Sequence, residues 1–229
     1  MYGLAYTWSR MMSYGSPSVY FNGDRTYGPS GSDRRQFLTV NFLYEVPKLS
    51  PRFGGRWLAP VVDGWSLSGI TSLSTGGPFT PSYTTTYSVE TTGSSEGSRI
   101  DVLGDPTLPK GQRTFYRNFD TSVFGPPAPC SWTNRTMACF GNAGTNIMYG
   151  PGLNNWDISV DKKIPIGLGE GRELQLRVEG YNAWNHTQFS GYDTAARFDA
   201  TGKQTNANFG AYNAARTPRI MAFTLRLRF

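Results

Sequence analysis

The sequence predicts an all-β chain: about six antiparallel strands of a transmembrane β-barrel, joined by connections that alternate between long and shorter. Three observations point there. Apolar and polar residues alternate with a period of two in segments of about 9–11 residues, the length a tilted strand needs to cross a bilayer. Mean hydropathy is only -0.42, and no run of about 20 apolar residues exists, which excludes a helical membrane protein. Low mean hydropathy is compatible with a membrane barrel, because lipid-facing residues alternate with lumen-facing polar ones.

The segments follow in order. Tyr2, Leu4, Tyr6 and Trp8 share one face of the first. The second runs from about Arg35 to Val46, with Leu38, Val40, Phe42 and Tyr44 opposite Thr39 and Asn41. The third starts near Gly64 and sets Trp65, Leu67, Gly69 and Leu73 against Ser66, Ser68 and Ser72. The fourth, Asn155 to Lys163, sets Trp156, Ile158 and Val160 against Asp157, Ser159 and Asp161. The fifth, Glu173 to Trp184, sets Leu174, Leu176 and Val178 against Gln175, Arg177 and Glu179. The last, Arg219 to Phe229, sets Met221, Phe223, Leu225, Leu227 and Phe229 against Ala222, Thr224, Arg226 and Arg228. In a helix these charges would smear around the surface, whereas in a strand they all point one way.

The connections separate a membrane barrel from a soluble sandwich. Arg10 to Arg34, Gly76 to Asn154 and Asn185 to Pro218 are long, Pro47 to Asp63 is intermediate, and Ile164 to Arg172 is short. Long loops outside and short turns in the periplasm produce this alternation in an outer-membrane barrel. The parity then brings Phe229 to the periplasmic rim. Trp8, Trp156 and Trp184 fall near the outer rim, and Tyr44, Trp65 and Phe229 near the inner one, as aromatics of membrane interfaces do. Stretches such as Gly93 to Gly97, Gly125 to Pro129 and Gly141 to Gly152 are loops by composition.

Composition narrows the remaining chemistry. The net charge is +6, but the arginines are scattered, so they read as lumen, loop and rim charges and no nucleic-acid partner is expected. The chain has 2 cysteines, Cys130 and Cys139, in a Pro/Gly/Ser/Asn-rich stretch, which reads as a local disulfide of an oxidising compartment or as two unpaired loop thiols. With one distant histidine they cannot form a tetrahedral zinc site. Met1 to Trp8 already reads as a strand and lacks the basic start and apolar core of a signal peptide, so an export signal is expected upstream.

Several blocks resemble the late barrel of TonB-dependent receptors, most of all the Oar-like group, whose members often carry a carboxypeptidase-regulatory-like domain. They are Gly64 to Ile70 with Ser74 to Thr80, and Gly104-Asp105-Pro106 through Phe119 to Phe124. Phe140 to Gly144 with Gly150 to Gly152 and Asn155-Trp156-Asp157, Leu176 to Phe189, and Arg219-Ile220 leading to Phe229 follow in the same order. Asp33-Arg34-Arg35 is also similar. The resemblance covers nearly the whole chain. It implies the C-terminal part, residues 1–229, of a plugged barrel of about 22 strands that imports a bulky solute with energy delivered through TonB. This chain shows no plug, signal peptide or second domain, so TonB would act only through a plug elsewhere in the parent protein. Outer-membrane lipid and the parent's remaining strands would be its other partners. The alternatives are a non-transporting outer-membrane or surface protein of adhesive or structural role, and a secreted carbohydrate-binding β-sandwich.

No enzyme or cofactor is expected. His186 has no paired nucleophile, and no Gly-x-Ser-x-Gly elbow occurs. Gly167 to Gly171 lacks the Lys-Ser/Thr ending and following helix of a phosphate loop and reads as a turn. Asp101, Asp105 and Asp120 lack calcium-loop spacing and read as turn residues. Asn134 to Thr136 and Asn185 to Thr187 are formal glycosylation sequons without weight in a bacterial protein. Asp157, Asp161, Arg177, Glu179, Arg226 and Arg228 form a lumen-facing polar set, kept inside because the lipid side excludes charge. Phe223, Leu225, Leu227 and the terminal Phe229 resemble the C-terminal signal read by barrel-assembly machinery, an exposed strand edge with alternate apolar side chains.

Overall fold

A computed structural model of the chain describes residues 1–15, 26–53, 55, 57–86, 99–127, 140–166 and 172–229. Cys130 and Cys139, Gly93 to Gly97, Asn134 to Thr136 and the Gly167 to Gly171 turn lie outside the described residues.

Six long strands form one sheet: β1 (Tyr2–Trp8), β2 (Gln36–Glu45), β3 (Trp65–Ser74), β4 (Leu153–Pro165), β5 (Glu173–Tyr181) and β6 (Ile220–Arg228). They lie in chain order, each antiparallel to the next. The sheet is open, with β1 and β6 as its edges. β4 is longer than the alternation suggests, 13 residues. β5 ends at Tyr181 rather than Trp184, because Asn182 takes a left-handed φ of 51° and turns the chain.

Register decides which side chains share a face. Directly opposed residues of an antiparallel pair lie on the same side of the sheet. Leu4 opposes Val40, Val40 opposes Thr71 and Thr71 opposes Trp156. Leu67 opposes Val160, Val160 opposes Val178 and Val178 opposes Phe223. The apolar sets of all six strands therefore merge into one face. Leu4, Ile70, Phe223 and Leu225 are 70, 53, 75 and 67% exposed; all but Ile70 belong to that face, which residues 59–63 cover at Trp65 and Lys162. Gly69 has its place in this face: a Cβ there would come within 2.8 Å of both the Phe42 ring and the Asp157 carbonyl. The aromatic ring covers the glycine directly across the ladder.

The opposite face carries Ser66, Asp161, Arg177 and Thr224 in one cross-strand row, and Ser68, Ser159, Glu179 and Ala222 in the next. Ile70 and Leu43 interrupt it as apolar members.

The long connections are more ordered than composition alone suggests. The sequence marks them only as loops, yet they hold short ladders. Pro78–Phe79 pairs with Met148–Tyr149, Asp101–Val102 with Phe124–Gly125, and Phe189–Tyr192 with Tyr212–Ala215. Ser82–Thr85 pairs in parallel with Ala195–Phe198, joining the β3–β4 connection to the β5–β6 connection. Among the described residues, every buried hydrophobic side chain, from Ile100 to Ala211, lies in these two connections. Phe119 is the hub, with ring centroids 5.3 Å from Phe209, 5.9 Å from Phe124 and 6.1 Å from Tyr192. The physical reason is simple. A single-layer sheet has no interior of its own, so connections of this length must bury apolar surface among themselves to hold a shape.

Candidate functional site

Two surfaces combine into the candidate site: the polar face of β3–β6 and the cleft that the long connections build above it. On the polar face, Arg177 Nη2 lies 2.9 Å from Glu179 Oε1, and its Nε lies 3.8 Å from Asp161 Oδ1. Gln175 Nε2 donates to Asp161 Oδ1 at 3.1 Å, and Ser159 Oγ donates to Oδ2 at 3.2 Å. Arg228 meets Glu173, its direct cross-strand partner, at 3.2 Å. Arg226 stands opposite Gln175. Asp161, Arg177 and Glu179 thus form one cluster, while Asp157 belongs to a second network nearer the long connections.

That second network has a fixed polarity. The Asp157 carboxylate only accepts, so Asn155 turns its Nδ2 toward it, at 2.9 Å. Asn155 Oδ1 is then the acceptor for Gln188 Nε2, at 3.0 Å. Asp157 Oδ1 also accepts from the Asn182 amide at 3.0 Å, pinning the turn that ends β5. Asn182 Nδ2 donates to the His186 carbonyl at 3.2 Å. The backbone of His186 thus serves the turn.

The cleft has a volume of about 290 Å³ and draws on all three long connections: Arg34 from the first, Gly77 and Phe79 from the second, Tyr192 and Arg216 from the third. Ser190 and Arg216 also line a wider cavity of about 710 Å³ that includes Asn155, Asp157 and Gln188. Ser190 and Arg216 therefore stand between the cleft and the polar face. Burial, with Tyr212 alongside, pushes the Tyr192 hydroxyl up to about 12.

A clasp holds the first connection to the second. Asp33 is 1% exposed; its Oδ1 accepts from the Met11 amide at 2.8 Å and its Oδ2 from Tyr149 Oη at 2.9 Å. Arg35 Nε donates to Tyr149 Oη at 3.0 Å, and its guanidinium sits 4.7 Å from that ring's centroid. The Met11 hydrogen bond, with Tyr149 and Arg35, holds the Asp33 carboxyl below the ordinary aspartate value of 3.8. A depressed carboxyl stabilises the fold above its ordinary value, and that contribution is lost as pH falls through the folded value. Acidification toward and through that lowered folded value will therefore weaken the clasp. Asp33→Asn should open it at neutral pH at a cost of about 1–3 kcal/mol. Protease cleavage within residues 9–35 measures both effects, and unchanged cleavage in the variant would refute the clasp.

The aspartates of the longest connection do local work. Asp101 Oδ1 accepts from the Asn142 amide at 2.8 Å, and Asp105 Oδ1 from the Thr107 amide at 2.8 Å. Asp120 caps a short 3₁₀ turn through Ser122 and pairs with Arg117 at 2.9 Å. No group of acidic, histidine or cysteine side chains suited to a metal occurs among the described residues. The sequence reading did not single out Tyr149, Tyr192 or Arg216. They lie in stretches without periodicity, although the blocks Asp33-Arg34-Arg35, Ser74 to Thr80 and Gly150 to Gly152 all fall in this region.

A family model described as an outer membrane beta barrel domain matches residues 1–222. The chain belongs to that family. Its strands accordingly cross the outer membrane, its merged apolar face meets lipid, and its long connections are extracellular. Comparison with curated proteins and with solved structures returns no match. Asp157, Asp161, Arg177, Glu179, Arg226 and Arg228 all stand on the polar face, opposite the apolar one. Phe223, Leu225 and Leu227 stand on the lipid side of the edge strand β6, with Phe229 just beyond its end.

Proposed function

We propose that the chain supplies closing barrel strands and extracellular loops of an outer-membrane TonB-dependent receptor that takes up a bulky solute. The observation that carries this reading is the cleft built jointly by the three long connections, whose Ser190 and Arg216 also line the cavity over the polar face. A surface serving only adhesion needs no cleft set beside a polar sheet face. The order of the blocks similar to Oar-like receptors supports the same role. In this reading the chain has no enzymatic activity. Its lumen carboxylates and arginines face a plug supplied by the parent protein, through which TonB acts. Phe223, Leu225, Leu227 and Phe229 present the β6 edge to the barrel-assembly machinery during insertion. The unpaired outer edges of β1 and β6 pair with the parent's other strands, because free edges are not tolerated in lipid.

The test is the reading frame upstream of Met1. An in-frame plug domain preceded by a TonB box is expected. A stop codon and a ribosome-binding site directly before Met1 would remove the receptor reading and leave a stand-alone or oligomeric barrel protein.

A further inference from the structure

The connection between β2 and β3, residues 46–64, is at the periplasmic end and does more than turn the chain. It contains two helical turns, Ser50–Phe53 and Ala59–Val62. Asp63 ties its ends together: Oδ1 accepts from the Leu49 and Ser50 amides at 2.7 and 2.9 Å, and Oδ2 accepts from Ser50 Oγ at 2.6 Å. Gly64 then enters β3 at φ 77°, where a side chain would collide with the Lys163 carbonyl.

The direction in which this hook folds is fixed by two side chains of the lipid-facing side. Trp65 and Lys162 oppose each other directly on that face. Trp65 Nε1 donates to the Val61 carbonyl at 2.9 Å, and Lys162 Nζ donates to the same carbonyl at 2.9 Å. Lys162 also donates to the Asp63 carbonyl and sits 4.8 Å from the centroid of the Trp65 ring. The Ala59–Val62 turn therefore lies on the lipid side of the sheet, not beneath the lumen. It covers a lysine that would otherwise face lipid, leaving it 5% exposed. The turn's own outer surface is bare: Trp57 is 77% and Val61 64% exposed. Tyr44, on the same face, is 57% exposed, so this surface continues the lipid-facing belt. Lys48 and Arg52 of the hook are also exposed.

We propose that the β2–β3 connection, through residues 46–53 and 57–64, forms an interfacial hook docked on the periplasmic leaflet of the outer membrane. Trp57 and Val61 insert at headgroup level, where an amphipathic indole and a small apolar side chain are favoured. Lys48 and Arg52 meet phospholipid phosphates. Lys162 and Trp65 lock the hook against the barrel wall. The inference needs only the outer-membrane barrel and is independent of any transport role.

The test uses a photoreactive p-benzoylphenylalanine at Val61 in the full protein as its cell inserts it. Leu225, on the lipid face, is the positive control, and Ala222, on the lumen face, the negative one. After irradiation, mass spectrometry of the purified protein should find phospholipid adducts at Val61 as at Leu225. Protein adducts at Val61, or lipid adducts at Leu225 alone, would overturn the proposal. If substitution at Val61 prevents folding, judged by heat-modifiable gel mobility, the same probe at Trp57 replaces it and is read the same way. Lys162→Met removes two hydrogen bonds to the hook and should lower phospholipid capture at Val61 by about fivefold, the equivalent of one net hydrogen bond. Unchanged capture would refute the lock.

Discussion

Phe119→Ala will loosen the extracellular unit while the membrane sheet stays folded. Phe119 is 2% exposed and touches the rings of Phe124, Phe209 and Tyr192, with Phe79 at 6.2 Å between centroids. Truncating such a side chain removes its transfer free energy and leaves a cavity, at a cost of about 3–5 kcal/mol. The unit has no larger core to absorb that loss, since its buried cluster consists of a handful of side chains around this ring. The sheet contributes none of them, so its strands should keep their pairing. Limited proteolysis in detergent should cut the β3–β4 and β5–β6 connections much faster in the variant. Heat-modifiable gel mobility, which reports the folded barrel, should stay unchanged. Equal protease resistance in variant and wild type would show that the aromatic cluster is not what holds these connections. The same variant tests the proposed function, because two of the three connections that line the cleft share this core.

Phe223→Arg and Ala222→Arg should behave as opposites although the residues are adjacent. Phe223 opposes Val178 on the lipid face, near the middle of β6, and is 75% exposed. Arginine near the bilayer midplane on that face costs about 2–4 kcal/mol. Ala222 opposes Glu179 on the lumen face, where an arginine gains an acidic neighbour and keeps contact with water. Urea titration of the protein folded into lipid vesicles should show a large loss for Phe223→Arg and little change for Ala222→Arg. Folding from urea bypasses the assembly machinery, so the result reports facing alone and not the C-terminal signal. Equal losses would mean that the two faces do not differ in environment and that the partition by register is wrong.

The strands and their facing were legible in the sequence because the signal is repeated. Leu174, Leu176 and Val178 against Gln175, Arg177 and Glu179 is a period-two pattern that no helix reproduces, and β6 repeats it with Phe223, Leu225 and Leu227. The alternation of connection lengths gave the up-and-down order. The candidate site was only half legible. Asp161, Arg177 and Glu179 could be placed on one face from their parity, but not Arg216 and Tyr192, which reach the cleft from a connection with no repeating pattern. The interfacial hook was equally hidden: Val61 and Lys162 are far apart in sequence, and nothing in their spacing announces the hydrogen bond that joins them.

The sequence by itself determined where β1 to β6 lie and which side chains of each share the apolar face, though not the ends of β4 and β5, because strand geometry makes every second side chain share a face regardless of what the strand pairs with. Only the tertiary structure decided how the extracellular connections interlock around Phe119, how Asp33 reaches Tyr149 and where the β2–β3 hook lies. Those contacts join residues far apart along the chain. Single aromatic and polar side chains carry them without periodicity, and their partners are set by packing and hydrogen-bond geometry that exist only once the sheet has positioned its loops.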